Sequence, residues 1–348
     1  MDNVSIRARQ DRLGRLEGKD NRMKLGVMAA LFTGMKFDAA LDYCAEMGLD
    51  AIELPVGGYP GKPFFDPAKV NASPRLLDEI KGQLKERQLE VSGLAVHGNP
   101  VSPVKAAAKK DHADFLTACE LAPKLGTDTI ITFSGCPGGS ARDTMPNWVT
   151  CAWPPEFAAI LKYQWEEILI PYWTEQSKFC RKHGVKVAWE AHPGFSVYNP
   201  DTLMRLSEAC CGKGKANLGA NLDPSHFFWQ GIDPVEAARV LGEAGLLFYC
   251  HAKDTAIDPH QTRINGTLDT RSYGDLHRRS WVFRTCGYGH GDEFWKPFVS
   301  MLRRQGYDGV LSIEHEDSYM SVNEGFEKAV EYLSNVMMAE PVGKAWWF

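Results

Sequence analysis

Residues 185–254 read VKVAWEAHPGFSVYNPDTLMRLSEACCGKGKANLGANLDPSHFFWQGIDPVEAARVLGEAGLLFYCHAKD. Three short apolar runs stand in this stretch, Val185 to Glu190, Asn217 to Asp223 and Leu246 to His251, with helical patterns between them. Strands that alternate with helices pair in parallel through right-handed crossovers. The same rhythm continues outward on both sides. Lys24 to Leu31 (KLGVMAAL), Asp50 to Leu54 (DAIEL), Glu90 to Val96 (EVSGLAV) and Thr127 to Phe133 (TDTIITF) precede it, and Gly309 to Glu314 (GVLSIE) follows. Eight such units predict a (β/α)8 TIM barrel, an α/β fold. A doubly wound sheet competes, but no G-x-G-x-x-G follows the first strand.

The chain of 348 residues suits one such barrel, and no linker rich in Pro, Gly or Ser divides it. We read an N-terminal extension over 1–22, a barrel over 23–340 and a C-terminal tail over 341–348. A net charge of -5 argues against a nucleic-acid partner, which would need clustered Lys and Arg. No apolar run is long enough to span a membrane, and the Arg-bearing first 22 residues lack the apolar core of a secretory signal. Nine scattered cysteines without a C-x-x-C pair suit reduced thiols in a cytoplasm.

The carboxyl ends of the later strands carry polar groups in succession. Strand five ends in Glu190 with His192 beyond it; strand six ends in Asp223 with His226 three residues on. Strand seven ends in His251, followed by Lys253 and Asp254, and strand eight ends in Glu314, followed by His315 and Glu316. Alternate strand residues share a face, so a barrel brings Glu190, Asp223, His251 and Glu314 to one rim. Three carboxylates and an imidazole make an oxygen-rich donor set, suited to Mn2+, Mg2+ or Co2+ rather than to a structural zinc. The competing reading is a buried ion-pair network at the barrel mouth, in which three carboxylates near one histidine would need a compensating cation.

The order Glu, Asp-x-x-His, His-x-Lys-Asp, Glu on strands five to eight resembles the xylose isomerase-like sugar isomerase/epimerase superfamily. WEAHPGFSVYNP, LGANLDPSHFFWQGIDP, FRTCGYGHGDEFW and DGVLSIEHED further resemble one subgroup of it, the large (alpha) subunit of C-glycoside deglycosylases. The resemblance implies a single divalent metal, Mn2+ leading, on Glu190, Asp223, His251 and Glu314. It places Glu190 and Glu314 as an acid/base pair and His226 and His97 (in LAVHGNP) on substrate oxygens. His192, two residues beyond Glu190 on the same face, is a third candidate for catalysis, with a hydrogen-bonding role beside the metal as its alternative. Lys253 is a candidate for binding a developing oxyanion, with an ion pair to Asp254 competing. Strand alternation turns His315 away from Glu314, towards the helices.

The chemistry so implied begins with removal of a proton beside the ketone of a keto-sugar. Reprotonation would isomerise or epimerise a free sugar. Expulsion of a group β to the carbonyl would cleave a 3-oxo-glycoside, whose ketone a separate dehydrogenase must first make. Two long connections, after Phe133 and after His251, carry Trp148, Trp153 and Trp281, which fit either an aromatic aglycone or a subunit interface. They tilt the reading towards a lyase, with isomerase or epimerase as the alternative. The expected partners are a small-molecule keto-sugar or 3-oxo-glycoside and further copies of the chain or a small second subunit. An abasic-site nuclease would need a basic groove, and a sugar sensor would not need the additional His192, His226 and Lys253.

Overall fold

The computed structural model describes residues 22–338 apart from 213 and 215, together with 340, 343 and 347. The expected extension over 1–22 and tail over 341–348 therefore lie almost entirely outside the described residues. Eight parallel strands form the barrel: β1 Lys24–Met28, β2 Ala51–Pro55, β3 Glu90–Ala95, β4 Thr129–Thr132, β5 Lys186–Glu190, β6 Leu218–Leu222, β7 Leu247–Ala252 and β10 Val310–Ile313. The last of these pairs with both β1 and β7 and closes the ring. Each coincides with an expected strand to within a few residues at its ends. The largest difference is at β1, where Ala29–Phe32 turn into a short 3-10 helix instead of prolonging the strand.

Period-2 alternation divides the barrel residues between two environments. Outward side chains such as Val187 and Trp189 pack under the helices, where Trp189 meets the edge of Trp173 at 4.9 Å. Inward side chains form layers. The lower layer is apolar, built from Ala51, Ile131, Ala188, Tyr249 and Val310. Two residues further along the same strands, the inward positions are Glu53, Glu190, His251 and Ser312, all buried. A barrel interior is usually filled by branched apolar residues; this one turns polar halfway up.

Helix termini place the loops at the carboxyl rim. Asp223 caps the short helix Pro224–Phe228 by accepting the Ser225 N–H through Oδ1 at 2.8 Å. Gly58, at φ +65, lies directly against the His97 carbonyl, where a Cβ would collide with backbone. The excursion after β7 contains an unanticipated antiparallel hairpin, β8 Asp254–Ile257 with β9 Trp281–Arg284. Among the described residues, no helix is long and apolar enough to cross a membrane.

Candidate active site

One donor atom from each of Glu190, Asp223, His251 and Glu314 falls within 4.8 Å of the others. His251 Nδ1 is 3.4 Å from both Glu190 Oε2 and Glu314 Oε2. The four residues leave consecutive barrel strands, as the alternation predicts. The Asp-Pro at the end of β6 orients the fourth donor: the helix cap holds Asp223 Oδ1, while Oδ2 is buried and accepts no hydrogen bond. The Lys253 ammonium at 3.2 Å and His226 Nε2 at 3.3 Å lie beside it. A hard, carboxylate-rich set with a buried oxygen that accepts no hydrogen bond fits a divalent cation.

Glu190 is the hub. Its Oε2 accepts from His97 Nε2 at 3.0 Å, and its Oε1 accepts from His226 Nε2 at 2.9 Å. Burial alone would raise its pKa, but the imidazoles of His226, His251 and His97 gathered around it hold it well below the usual carboxylate range. His97 and His226 thus both meet at Glu190, and His226 keeps a second nitrogen, Nδ1, buried and without a partner. His192 rests on the His226 ring, with centroids 4.0 Å apart, and its Nδ1 donates to the Pro193 carbonyl. Burial and the neighbouring His226 lower its pKa to about 3, so it is neutral around pH 7. Glu190, His192 and His226 also offer a second close trio of donor atoms.

Lys253 is 2% exposed. It donates to Glu314 Oε2 at 2.7 Å and to Glu316 Oε2 at 3.0 Å, not to Asp254. Although burial opposes its charge, Asp223, Glu314, Glu316 and Glu190 together raise its pKa. The chain therefore supplies part of the compensation that the carboxylates need. Asp254 turns the other way, accepting from the backbone N–H groups of Gly287, Gly289 and His290 and from His290 Nδ1. His290 accordingly belongs to the loop scaffold. His315 packs over Gly325 among the helices, on the side that alternation assigns to it.

Three polar residues of this site escaped the sequence reading. Glu53 on β2 accepts from His251 Nε2 at 3.0 Å and from the Ser312 hydroxyl at 2.7 Å. Asn221 on β6 places Nδ2 3.1 Å from His251 Nδ1. Glu53 had a signal, the acid flanked by apolar residues in AIEL of the run DAIEL, where an inward side chain needs a buried partner.

Aromatic side chains flank the donors. On one side Phe133 stacks on Phe195 at 4.1 Å and meets the rings of His97 and His192. On the other, Phe283 lies 5.4 Å from His226 and 4.7 Å from the Lys253 ammonium. The long-loop tryptophans are placed differently from one another. Trp281 is buried in a stack on Trp229 at 4.5 Å and supports Phe283; Trp148 meets Tyr198; Trp153 is exposed.

Comparison with known proteins agrees with this architecture. An uncharacterized protein of Bacillus subtilis (strain 168), YfiH, is 36% identical over 319 residues, spanning 90% of this chain and 99% of its own. An inosose isomerase of Halalkalibacterium halodurans is 26% identical over 279 residues, 79% of this chain and 80% of that protein. The IOLI protein, solved with a bound zinc atom, superposes with a TM-score of 0.59 at 19% identity, covering 90% of this chain and 98% of that one. The family model for the xylose isomerase-like TIM barrel matches residues 41–336, and the chain belongs to that family.

Proposed function

We propose that the chain is a divalent-metal-dependent enzyme that removes the proton beside the ketone of a keto-sugar, with cleavage of a 3-oxo-glycoside as its leading outcome. The observation that carries the reading is the Asp223 carboxylate: one oxygen is committed to a helix cap and the other is buried, without a hydrogen bond, beside the Glu190, His251 and Glu314 donors. Those four residues would hold the ion, Mn2+ leading among Mn2+, Mg2+ and Co2+, with Zn2+ added because the IOLI protein binds it. When bound, the ion supplies the Lewis acidity that makes a C–H beside a ketone acidic.

The chain's own groups divide the remaining work. Glu190 and Glu314 flank His251 Nδ1 and are both held anionic, Glu314 by Lys253 and His251 against the effect of burial. As carboxylates they are proton acceptors on the two sides of the substrate; the one that takes the substrate proton is thereby the acid that returns it, to the neighbouring carbon or to the leaving group. Lys253, fixed within hydrogen-bonding reach of Glu314, balances negative charge that develops on the substrate oxygen. His226 offers its unpartnered Nδ1 to a substrate hydroxyl, and His97 steadies Glu190. His192, with Nδ1–H given to Pro193, presents Nε2 as an acceptor.

The aromatic walls of Phe133 with Phe195 and of Phe283 support an aglycone-bearing substrate and hence elimination. The inosose isomerase relative favours a second reading, in which the same proton returns to a neighbouring carbon and the product is an isomer or epimer. The test is to incubate metal-loaded protein with a 3-oxo-glucoside of a chromogenic aglycone, with EDTA as control. EDTA-sensitive aglycone release supports the lyase. Deuterium incorporation into a ketose in D2O without any release supports the isomerase. Absence of both, or full activity in Glu190→Gln or Asp223→Asn, removes the metal-dependent reading.

A further inference from the structure

We infer that Glu53 is a positioning residue that holds His251 with Nδ1 turned to the ion and thereby sets the affinity of the site for it. The inference rests on the reading that Glu190, Asp223, His251 and Glu314 hold a divalent ion. Glu53 lies in the inward polar layer of the barrel and is fully buried. Its hydrogen-bond partners are His251 Nε2, at 3.0 Å from Oε2 and 3.3 Å from Oε1, and the Ser312 hydroxyl at 2.7 Å.

An imidazole can bind a cation through either nitrogen, and the partner of the other nitrogen decides which. A carboxylate only accepts, so the Nε2 that faces Glu53 must carry the proton. Nδ1 is then left to face Glu190 and Glu314 at 3.4 Å, and the Asn221 amide nitrogen at 3.1 Å can only donate to it. The anionic partner also raises the electron density of the ring that binds the ion. Ser312 fixes the carboxylate in turn, and it sits directly opposite His251 in the register of β10 on β7.

Cobalt(II) titrated into chelator-stripped full-length protein, followed by its d–d absorption and by chelator competition, tests the inference without reference to activity. Wild type should bind at the site with a defined spectrum. Glu53→Gln keeps an acceptor for the Nε2 proton but removes the charge, and should raise Kd roughly 10-fold; Glu53→Leu removes both and should raise it roughly 100-fold. Long-range 1H–15N spectra of the zinc-loaded protein should show His251 protonated at Nε2 in wild type and a mixed signature in Glu53→Leu. Folded Glu53 variants with wild-type Kd and an unchanged His251 signature would overturn the inference. If those variants do not fold, Ser312→Ala carries the test: it leaves the charge but frees the carboxylate to rotate, and a wild-type Kd there overturns it equally. Failure of wild type to take up cobalt would instead remove the metal-site reading itself.

Discussion

Lys253 Nζ stands 2.7 Å from Glu314 Oε2, a buried ammonium placed directly on a carboxylate of the candidate metal set. Asp223 at 3.2 Å and Glu316 at 3.0 Å complete its surroundings. Glu316 is half exposed, but removing Lys253 leaves the Asp223 and Glu314 carboxylates desolvated without it, at a cost of about 3–5 kcal/mol. Lys253→Met should therefore lower stability by about that amount in chelator, and a divalent ion should restore part of the loss. Urea unfolding with and without Mn2+ measures both quantities. Wild-type stability of the variant in chelator would show that the carboxylates do not depend on Lys253.

Asp254, next along the chain, ties the β8–β9 hairpin to the following helix. Its carboxylate accepts from four backbone N–H groups, at Thr255, Gly287, Gly289 and His290, and from Trp295 Nε1 at 3.3 Å. Asp254→Ala would orphan these donors, at about 1–3 kcal/mol for each that stays buried. We expect a lower unfolding midpoint and faster protease cleavage within 258–280, while cobalt binding by Glu190, Asp223, His251 and Glu314 persists. Unaltered cleavage kinetics would show that the excursion is held by other contacts, such as the Trp229–Trp281 stack.

The barrel and its rim were legible because both follow from short-range rules. Apolar runs separated by helical patterns specify the strands, and period-2 alternation sends Glu190, His251 and Glu314 to one side. Glu53 was not legible in the same way. Its partner His251 lies 198 positions away, and the second acid of DAIEL reads equally as a strand-end surface residue. The β8–β9 hairpin was hidden for a related reason. Its strands are four residues each and joined across a long irregular segment, so neither shows enough alternation to be seen. The partner of Lys253 was decided by tertiary distance, not adjacency: Glu314 is 61 residues away and Asp254 only one.

Asp317 gives a pH dependence separate from the candidate metal set. Burial works to raise its pKa, but the Thr285 amide, the Arg284 guanidinium and the Tyr319 amide win and hold it below the ordinary value. A carboxyl depressed by folding binds its proton more readily in the unfolded chain. Its contribution is therefore fully present above the unfolded pKa of about 3.9 and is lost as pH falls through the folded value. Stability of the wild type should decline below about pH 4, and Asp317→Asn should be less stable at pH 6 and show a shallower decline. Parallel acid limbs for the two proteins would assign the decline to other carboxylates.

Metal removal gives the last expectation. Asp223 Oδ2 has no hydrogen bond to lose when it binds a cation, and the unfolded chain cannot hold four donors within 4.8 Å of one another. A cation bound to the folded state alone stabilises it by RT ln(1 + [L]/Kd), about 2.7 kcal/mol at a hundred times Kd. Thermal unfolding of stripped protein should therefore shift upward with increasing Mn2+ and return on adding EDTA. In Asp223→Asn, whose amide is neutral, most of that shift should vanish while the Ser225 cap can still form through Oδ1. A variant that keeps the whole wild-type shift would place the stabilising ion elsewhere on the molecule.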